Sequence, residues 1–138
     1  MTESRCGNSP SLETVRRQDH EFPAAIVRNG WKFHHLGIPT NAPRPGENYL
    51  SPYGMYRSGF DTSPFGIEWM RFDTASPLPE LIRTVPHLAF VVEDLDAALA
   101  GREILFPAGS PSDGVRTAMI VDDGAPIELM EFSGRRTG

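Results

Sequence analysis

The chain has 138 residues, of which 39% are apolar, with 13 prolines and 13 glycines. This composition favours one globular domain built from many short elements over a bundle of long helices. Its formal net charge is −5, and it has no basic block of the kind that binds nucleic acid. No apolar stretch approaches the roughly 20 residues that span a bilayer, and no secretory segment is visible. We therefore expect a cytoplasmic protein without nucleic-acid or membrane partners.

Six short stretches have the apolar pattern of strands, each bounded by Pro, Gly, Asp or Ser. They are 31–38, 66–72, 87–93, 102–106, 115–121 and 126–132. We interpret residues 1 to about 30 as a flexible N-terminal extension, because they are polar and lack sustained periodicity, and residues 134–138 as a tail. The single cysteine, Cys6, lies in the extension, so no intrachain disulfide is possible.

Helix signals are few. Asp94 or Asp96 is a suitable N-cap for a brief helix through residues 97–100, which Gly101 would end. The stretch 47–56 is a second candidate, but a proline in its middle predicts that it is broken or mostly loop.

An internal repeat is the most informative feature of the sequence. The run FGIEWMRF at 65–72 matches APIELMEF at 125–132, with Ile, Glu, Met and Phe identical. His35-Leu36 likewise matches His87-Leu88. The spacing between the two matches is eight residues longer in the second half, which we interpret as a loop insertion. The repeat predicts two related modules, about 31–73 and 84–133, each opening with a histidine-bearing strand and closing with a glutamate-bearing one.

The repeated glutamates and histidines indicate a metal site. Side chains alternate along a strand, so Glu68 and Glu128 each share a face with a methionine and a phenylalanine. A lone glutamate in a strand usually lies on a solvated face, but a carboxylate among apolar side chains is costly unless it is paired or bound to a cation. His35 and His87 supply equivalent partners. Two imidazoles and two carboxylates form a suitable cage for one divalent ion, Zn, Ni, Co, Mn or Fe.

These residues resemble the vicinal-oxygen-chelate (VOC) superfamily, which includes glyoxalase I, methylmalonyl-CoA epimerase, extradiol dioxygenases, and fosfomycin- and bleomycin-resistance proteins. The runs FHHLGI at 33–38 and PHLAFVV at 86–92 look like the family's opening strands. The runs IEW at 67–69 and IEL at 127–129 look like its closing strands. The resemblance covers about residues 31–133.

The resemblance implies an α+β fold of paired βαβββ modules whose curved sheets surround a metal in a cup. It places His35, Glu68, His87 and Glu128 at the four ligand positions. The helices should be reduced, since a Pro-rich stretch, 39–52, stands where the first module's helix is expected. The family's modules pair within one chain or across two, so we expect a homodimer, and the sequence leaves open which arrangement completes the site.

The first glutamate bears on the reaction. Extradiol dioxygenases and fosfomycin-resistance enzymes typically use two histidines and one glutamate, whereas glyoxalase I has both glutamates and the epimerase a close variant. Glu68 therefore favours isomerase, epimerase or lyase chemistry on a small oxygenated metabolite through a metal-stabilised enolate, with Glu68 or Glu128 as catalytic base. The alternatives are a metal-dependent dioxygenase of the same fold and a metal-free protein that sequesters a drug or metabolite.

Two further expectations concern side chains near the site. His34 should face away from His35 by strand alternation, as a packed or hydrogen-bonded histidine and not as a ligand. Tyrosines and arginines are candidates for lining the cup and gripping an anionic substrate, judged from side-chain chemistry alone. They are Tyr49, Tyr53, Tyr56, Arg57 and Arg116.

Overall fold

The structure is a computed structural model that describes residues 21–133. Its strands, in chain order, are β1 (Lys32–Pro39), β2 (Asn48–Leu50), β3 (Met55–Ser58), β4 (Ile67–Phe72), β5 (His87–Val91), β6 (Ile104–Ser112), β7 (Val115–Asp122) and β8 (Ala125–Phe132). Its helices are α1 (Ala24–Val27), α2 (Glu80–Thr84) and α3 (Leu95–Leu99), and Ser51–Tyr53 forms a 3-10 turn. None of the helices in residues 21–133 is long and apolar enough to cross a membrane.

The eight strands form one mixed sheet in the order β2-β3-β4-β1-β5-β8-β7-β6. The two halves of this order have the same topology, because in each half the first strand pairs in parallel with the last. The remaining pairs are antiparallel, including the central pair of β1 and β5 that joins the halves. The predicted α+β fold of paired modules is therefore confirmed, and both modules lie side by side in one chain.

The differences from the predicted elements lie mainly in the first module. All six predicted strands are present, but β2 and β3 were missed because strands of three and four residues are too short to show alternation. The stretch 47–56, expected to be a broken helix or loop, contains β2, the 3-10 turn and the start of β3. No helix lies between β1 and β2, as the Pro-rich stretch predicted.

The expected loop insertion in the second module is wrong. The extra residues lengthen a hairpin instead, since β6 and β7 have nine and eight residues where β2 and β3 have three and four. This hairpin extends the second half of the sheet. It contributes Pro111 and Thr117 to the wall of the cavity described below.

The predicted short helix is confirmed as α3. The Asp94 side chain caps it by accepting a hydrogen bond from the backbone N–H of Ala97 at 3.1 Å, and Gly101, with a φ of +75°, follows its end. Helix α1 is a single turn within the predicted extension. The rest of that extension, residues 1–20 with Cys6, and the tail 134–138 lie outside the described residues.

Two apolar clusters pack against opposite faces of the sheet. One, between α3 and the second module, buries Val92, Leu95, Ala118, Ile120 and Leu129. The other joins Leu78 and Ile82, from the segment between the modules, to Met119 of β7. Since Leu78, Ile82 and Met119 also line the cavity, the link between the modules covers part of the concave face.

Candidate functional site

The first part of the site is a row of three residues across neighbouring strands. Gly37 on β1 is paired with Glu68 on β4 and with His87 on β5. Residues paired across strands point to the same face of a sheet. A carboxylate and an imidazole therefore flank a residue that has no side chain.

A second row repeats this pattern and is centred on β5, the strand next to β1. Ala89 on β5 is paired with His35 on β1 and with Glu128 on β8. Ala89 is fully buried, and His35 and His87 are only 3% and 4% exposed. The two rows thus bring all four predicted site residues together within one chain.

The donor atoms of the two rows lie close to one another. His35 Nε2 is 3.3 Å from Glu68 Oε1 and 3.3 Å from Glu128 Oε1. His87 Nε2 is 3.1 Å from Glu128 Oε1 and 3.3 Å from His35 Nε2. His35, His87 and Glu128 form a compact group that could hold a metal ion, each offering one atom within 4.8 Å of the others. Glu68 adjoins this group through His35.

The two glutamates have different electrostatic environments. Burial alone would raise the pKa of Glu128, but hydrogen bonds with His35 and His87 outweigh it and hold this pKa well below the usual range. Burial does raise the pKa of Glu68, and the positive charges of His35 and Arg57 offset it only in part. Burial would lower the pKa of His35, but its contact with Glu128 and the charges of both carboxylates raise it overall.

A β-bulge places His34 beside the site. The register of β1 against β5 shifts between residues 33 and 35, so His34 is the extra residue. Its Nδ1 lies 2.8 Å from His35 Nδ1, and its ring stacks on Phe60 with centroids 4.7 Å apart. His34 lines the cavity, so the expectation that it faces away from His35 is wrong, while its hydrogen bonding is as expected.

His87 has no equivalent support. Its Nδ1 is buried and has no hydrogen-bond partner among residues 21–133. Its ring is held by packing against Gly37 instead, where an added Cβ would lie 2.2 Å from His87 Cε1. No real Cβ contact is that short, so any other residue at position 37 must displace the ring.

The ionisable cluster faces a cavity of about 340 Å³, which is the size of a site for a small metabolite. Strands at both ends of the sheet reach it, since Asn48 of β2 and Ser112 of β6 both contribute to its wall. Much of the lining is apolar, including Leu50, Phe106 and Met130. The curved sheet therefore forms the expected cup, with the cluster inside it.

Two of the five side chains expected to line the cup do so, namely Tyr53 and Arg57. The other three make contacts elsewhere. Tyr49 donates a hydrogen bond to Asp73, Tyr56 lies under the Arg71 guanidinium, and Arg116 pairs with Asp96 and Glu131. Side-chain chemistry alone could not tell the residues that line the cavity from those that do not, because this depends on which face of β2, β3 or β7 each residue occupies.

The packing of Gly37 against His87 gives a stability prediction. We expect Gly37→Ala to lower the free energy of unfolding by about 1–3 kcal/mol, because the new methyl group overpacks a buried ring. The matched control is Gly109→Ala, whose Cβ would meet only Tyr53 Oη at 3.7 Å and should change stability little. Urea unfolding measures both.

A double mutant tests whether the His87 ring causes the loss of stability in Gly37→Ala. If the clash with the ring is responsible, Gly37→Ala should cost much less in a His87→Ala background, where the ring is absent. An equal loss of stability in the two backgrounds would contradict the assigned contact.

Comparison with known proteins identifies the fold. No protein-family model matches the chain, and no curated protein is significantly similar in sequence. Methylmalonyl-CoA epimerase from Mycobacterium tuberculosis has a similar structure, with a TM-score of 0.57 and 20% identity, covering 88% of this chain and 99% of that one. A hypothetical protein from Bacillus halodurans C-125 has a TM-score of 0.56 and 16% identity, covering 73% of this chain and 94% of that one.

At these identities the likeness concerns the fold alone. It agrees with the eight-stranded sheet of two equivalent halves and with the few short helices. The chain thus has the α+β fold of paired modules that the resemblance to the VOC superfamily implied.

Proposed function

We propose that the protein is a metal-dependent enzyme that moves a proton at a carbon next to a carbonyl group of a small oxygenated metabolite, as an isomerase, epimerase or lyase. The observation that carries this proposal is the meeting of His35, His87, Glu128 and Glu68 inside one cavity. Clustering buried ionisable groups is costly, and such clusters are frequent at functional sites. Epimerisation is our first choice within the class, since one fold neighbour is named an epimerase.

The donor set fits one divalent first-row ion. Bonds to nitrogen and oxygen of about 2.0–2.1 Å separate adjacent ligands by about 2.9 Å on an octahedral shell and about 3.4 Å on a tetrahedral one. The contacts between donor atoms, at 3.1 Å and 3.3 Å, lie in this interval. Two carboxylates would also balance the charge of the ion, which lowers the cost of burying it. Zn, Ni, Co, Mn and Fe all suit this set.

The four residues would have different roles in metal binding and proton transfer. A bound ion would act as a Lewis acid toward the carbonyl oxygen of the substrate. His35, His87 and Glu128 form a mutually bonded group suited to holding it. Glu68 contacts only His35 in this cluster, so its carboxylate is less restrained, and it is our candidate for the base that removes and returns the proton. Glu128 is the second candidate.

Two other functions remain as alternatives. An oxygenase with the same fold would need only two histidines and one carboxylate, so Glu68 favours proton transfer. A binding protein that sequesters a metabolite would need the cavity but not the ligand set. Since all four ligand residues come from one chain, the proposed site needs no second subunit, and the homodimer we also propose would have another role.

Metal analysis tests the ligand set directly. We expect the zinc-reconstituted protein to retain about one ion per chain after desalting, and His87→Ala and Glu128→Gln to lose it, because each removes a donor. Glu93→Gln, at an exposed position, is the matched control and should retain zinc. Stoichiometric zinc in both ligand variants would contradict the assignment.

Solvent exchange tests the reaction. We expect the metal-loaded protein to catalyse deuterium incorporation next to a carbonyl in at least one of methylmalonyl-CoA, a thiol adduct of a 2-oxoaldehyde, or a keto sugar, followed by NMR in D2O. Glu68→Gln should lose exchange by about 100-fold or more, because it lacks a base. Oxygen consumption would favour the dioxygenase instead, and tight binding without exchange would favour the sequestering protein.

The contact between His34 and His35 predicts an effect on metal affinity. If His35 binds the ion through Nε2, its remaining proton lies on Nδ1, where His34 Nδ1 is placed to accept it. We expect His34→Ala to weaken zinc binding about 10–100-fold, and His34→Gln, which keeps an acceptor, to restore part of it. Phe60→Leu removes the ring that contacts both His34 and His35 but keeps the imidazole acceptor, and it is the control. Unchanged affinity in His34→Ala would exclude this role.

A further inference from the structure

Arg57 is a charged group on the wall of the cavity. It lies on β3 opposite Met70 of β4 and lines the cavity. Among residues 21–133, no hydrogen bond or ion pair engages its guanidinium. Other arginines of this part of the chain do donate hydrogen bonds, namely Arg44, Arg71, Arg83, Arg102 and Arg116. The donors of this half-buried guanidinium are therefore free to bind water or the acceptor atoms of a ligand.

The charge of Arg57 is confined to one side of the cup. The position equivalent to Arg57 in the second module is Thr117, which pairs with Met130 as Arg57 pairs with Met70. Thr117 also lines the cavity, and no other arginine or lysine does so within residues 21–133. The cavity is therefore electrically asymmetric although its sheet is pseudo-symmetric.

The surrounding charges leave the guanidinium available to a ligand. Its charge acts on Glu68 and His35, so Arg57 lies near the ionisable cluster. The two glutamates would be balanced by a divalent ion and would not neutralise it. Asp61 also lines the cavity, but it is exposed and forms no ion pair with Arg57. With a divalent ion bound, the wall beside the cluster would thus have an excess positive charge.

We propose that Arg57 binds a carboxylate of the substrate, which makes the substrate a small organic acid. This inference rests on the proposed function. A guanidinium donates two parallel hydrogen bonds to a carboxylate, and a single cation matches a monoanion better than a phosphate dianion. The hydrocarbon part of the acid would lie against the apolar wall that includes Leu78, Ile82 and Met119.

The test is a comparison of matched ligands. We would measure the affinities of 2-oxopentanoate, its neutral methyl ester and butanoylphosphonate by calorimetry, in metal-free and in zinc-loaded protein. We expect the acid to bind about tenfold or more tightly than the ester in both forms, and the phosphonate to bind less tightly than the acid. Tighter binding of the phosphonate would overturn the choice of a carboxylate.

Variants at position 57 test whether the Arg57 guanidinium causes the preference for the acid over the ester. Arg57→Gln should lower the preference for acid over ester about tenfold in each form and keep its zinc, while Arg57→Lys should retain part of the preference. Arg102→Gln is the matched control, because Arg102 lies over Trp31 and donates a hydrogen bond to the carbonyl of Ala98, none of which lines the cavity, and it should behave as wild type. An acid preference that is as large in Arg57→Gln as in wild type would overturn the proposal.

The outcomes also separate this inference from the proposed function. An Arg57-dependent preference for the acid in a protein that neither retains zinc nor catalyses exchange would support the carboxylate site and contradict the metal-dependent enzyme. If the protein binds zinc and catalyses exchange but Arg57→Gln does not change the ligand preference, the metal-dependent enzyme is supported and the carboxylate site is contradicted.

Discussion

The site depends on the two small residues between its ionisable side chains. On neighbouring strands, Gly37 lies between Glu68 and His87, and Ala89 lies between His35 and Glu128. Large side chains at both positions would fill the space in which the donor atoms meet. Mutual hydrogen bonds and ion pairs offset the cost of burying the groups, and these form only because adjacent strands hold the two rows in register.

The cup combines a symmetric framework with asymmetric side chains. The strand order repeats in the two halves, and so do the histidine and glutamate positions. The bulge at His34 interrupts β1 but has no counterpart in β5. Arg57 and Thr117 line the same cavity from equivalent positions of the two halves. The symmetric backbone therefore determines where the donor atoms meet. The residues that differ between the halves make the two sides of the cavity chemically different.

The repeat predicted the two modules and the four clustered residues, because identical motifs on equivalent strands occupy equivalent places, and the resemblance to a known family supplied the fold. Two features escaped prediction for physical reasons. Strict alternation fails at a bulge, so His34 faces the site, and a bulge has no clear sequence signature when neither residue is glycine. The role of Gly37 was detectable in principle, because the repeat aligns it with Ala89, but the clash with His87 is a property of packing.

The central pairing of β1 with β5 has a consequence for how such a protein can diversify. Two identical single-module subunits would form a twofold-symmetric cup, in which every substitution appears twice. Here both halves belong to one polypeptide, so a mutation alters one wall and leaves the other as it was. The protein can therefore acquire a handed pocket, able to distinguish the two faces of a ligand, by single amino-acid changes in either half.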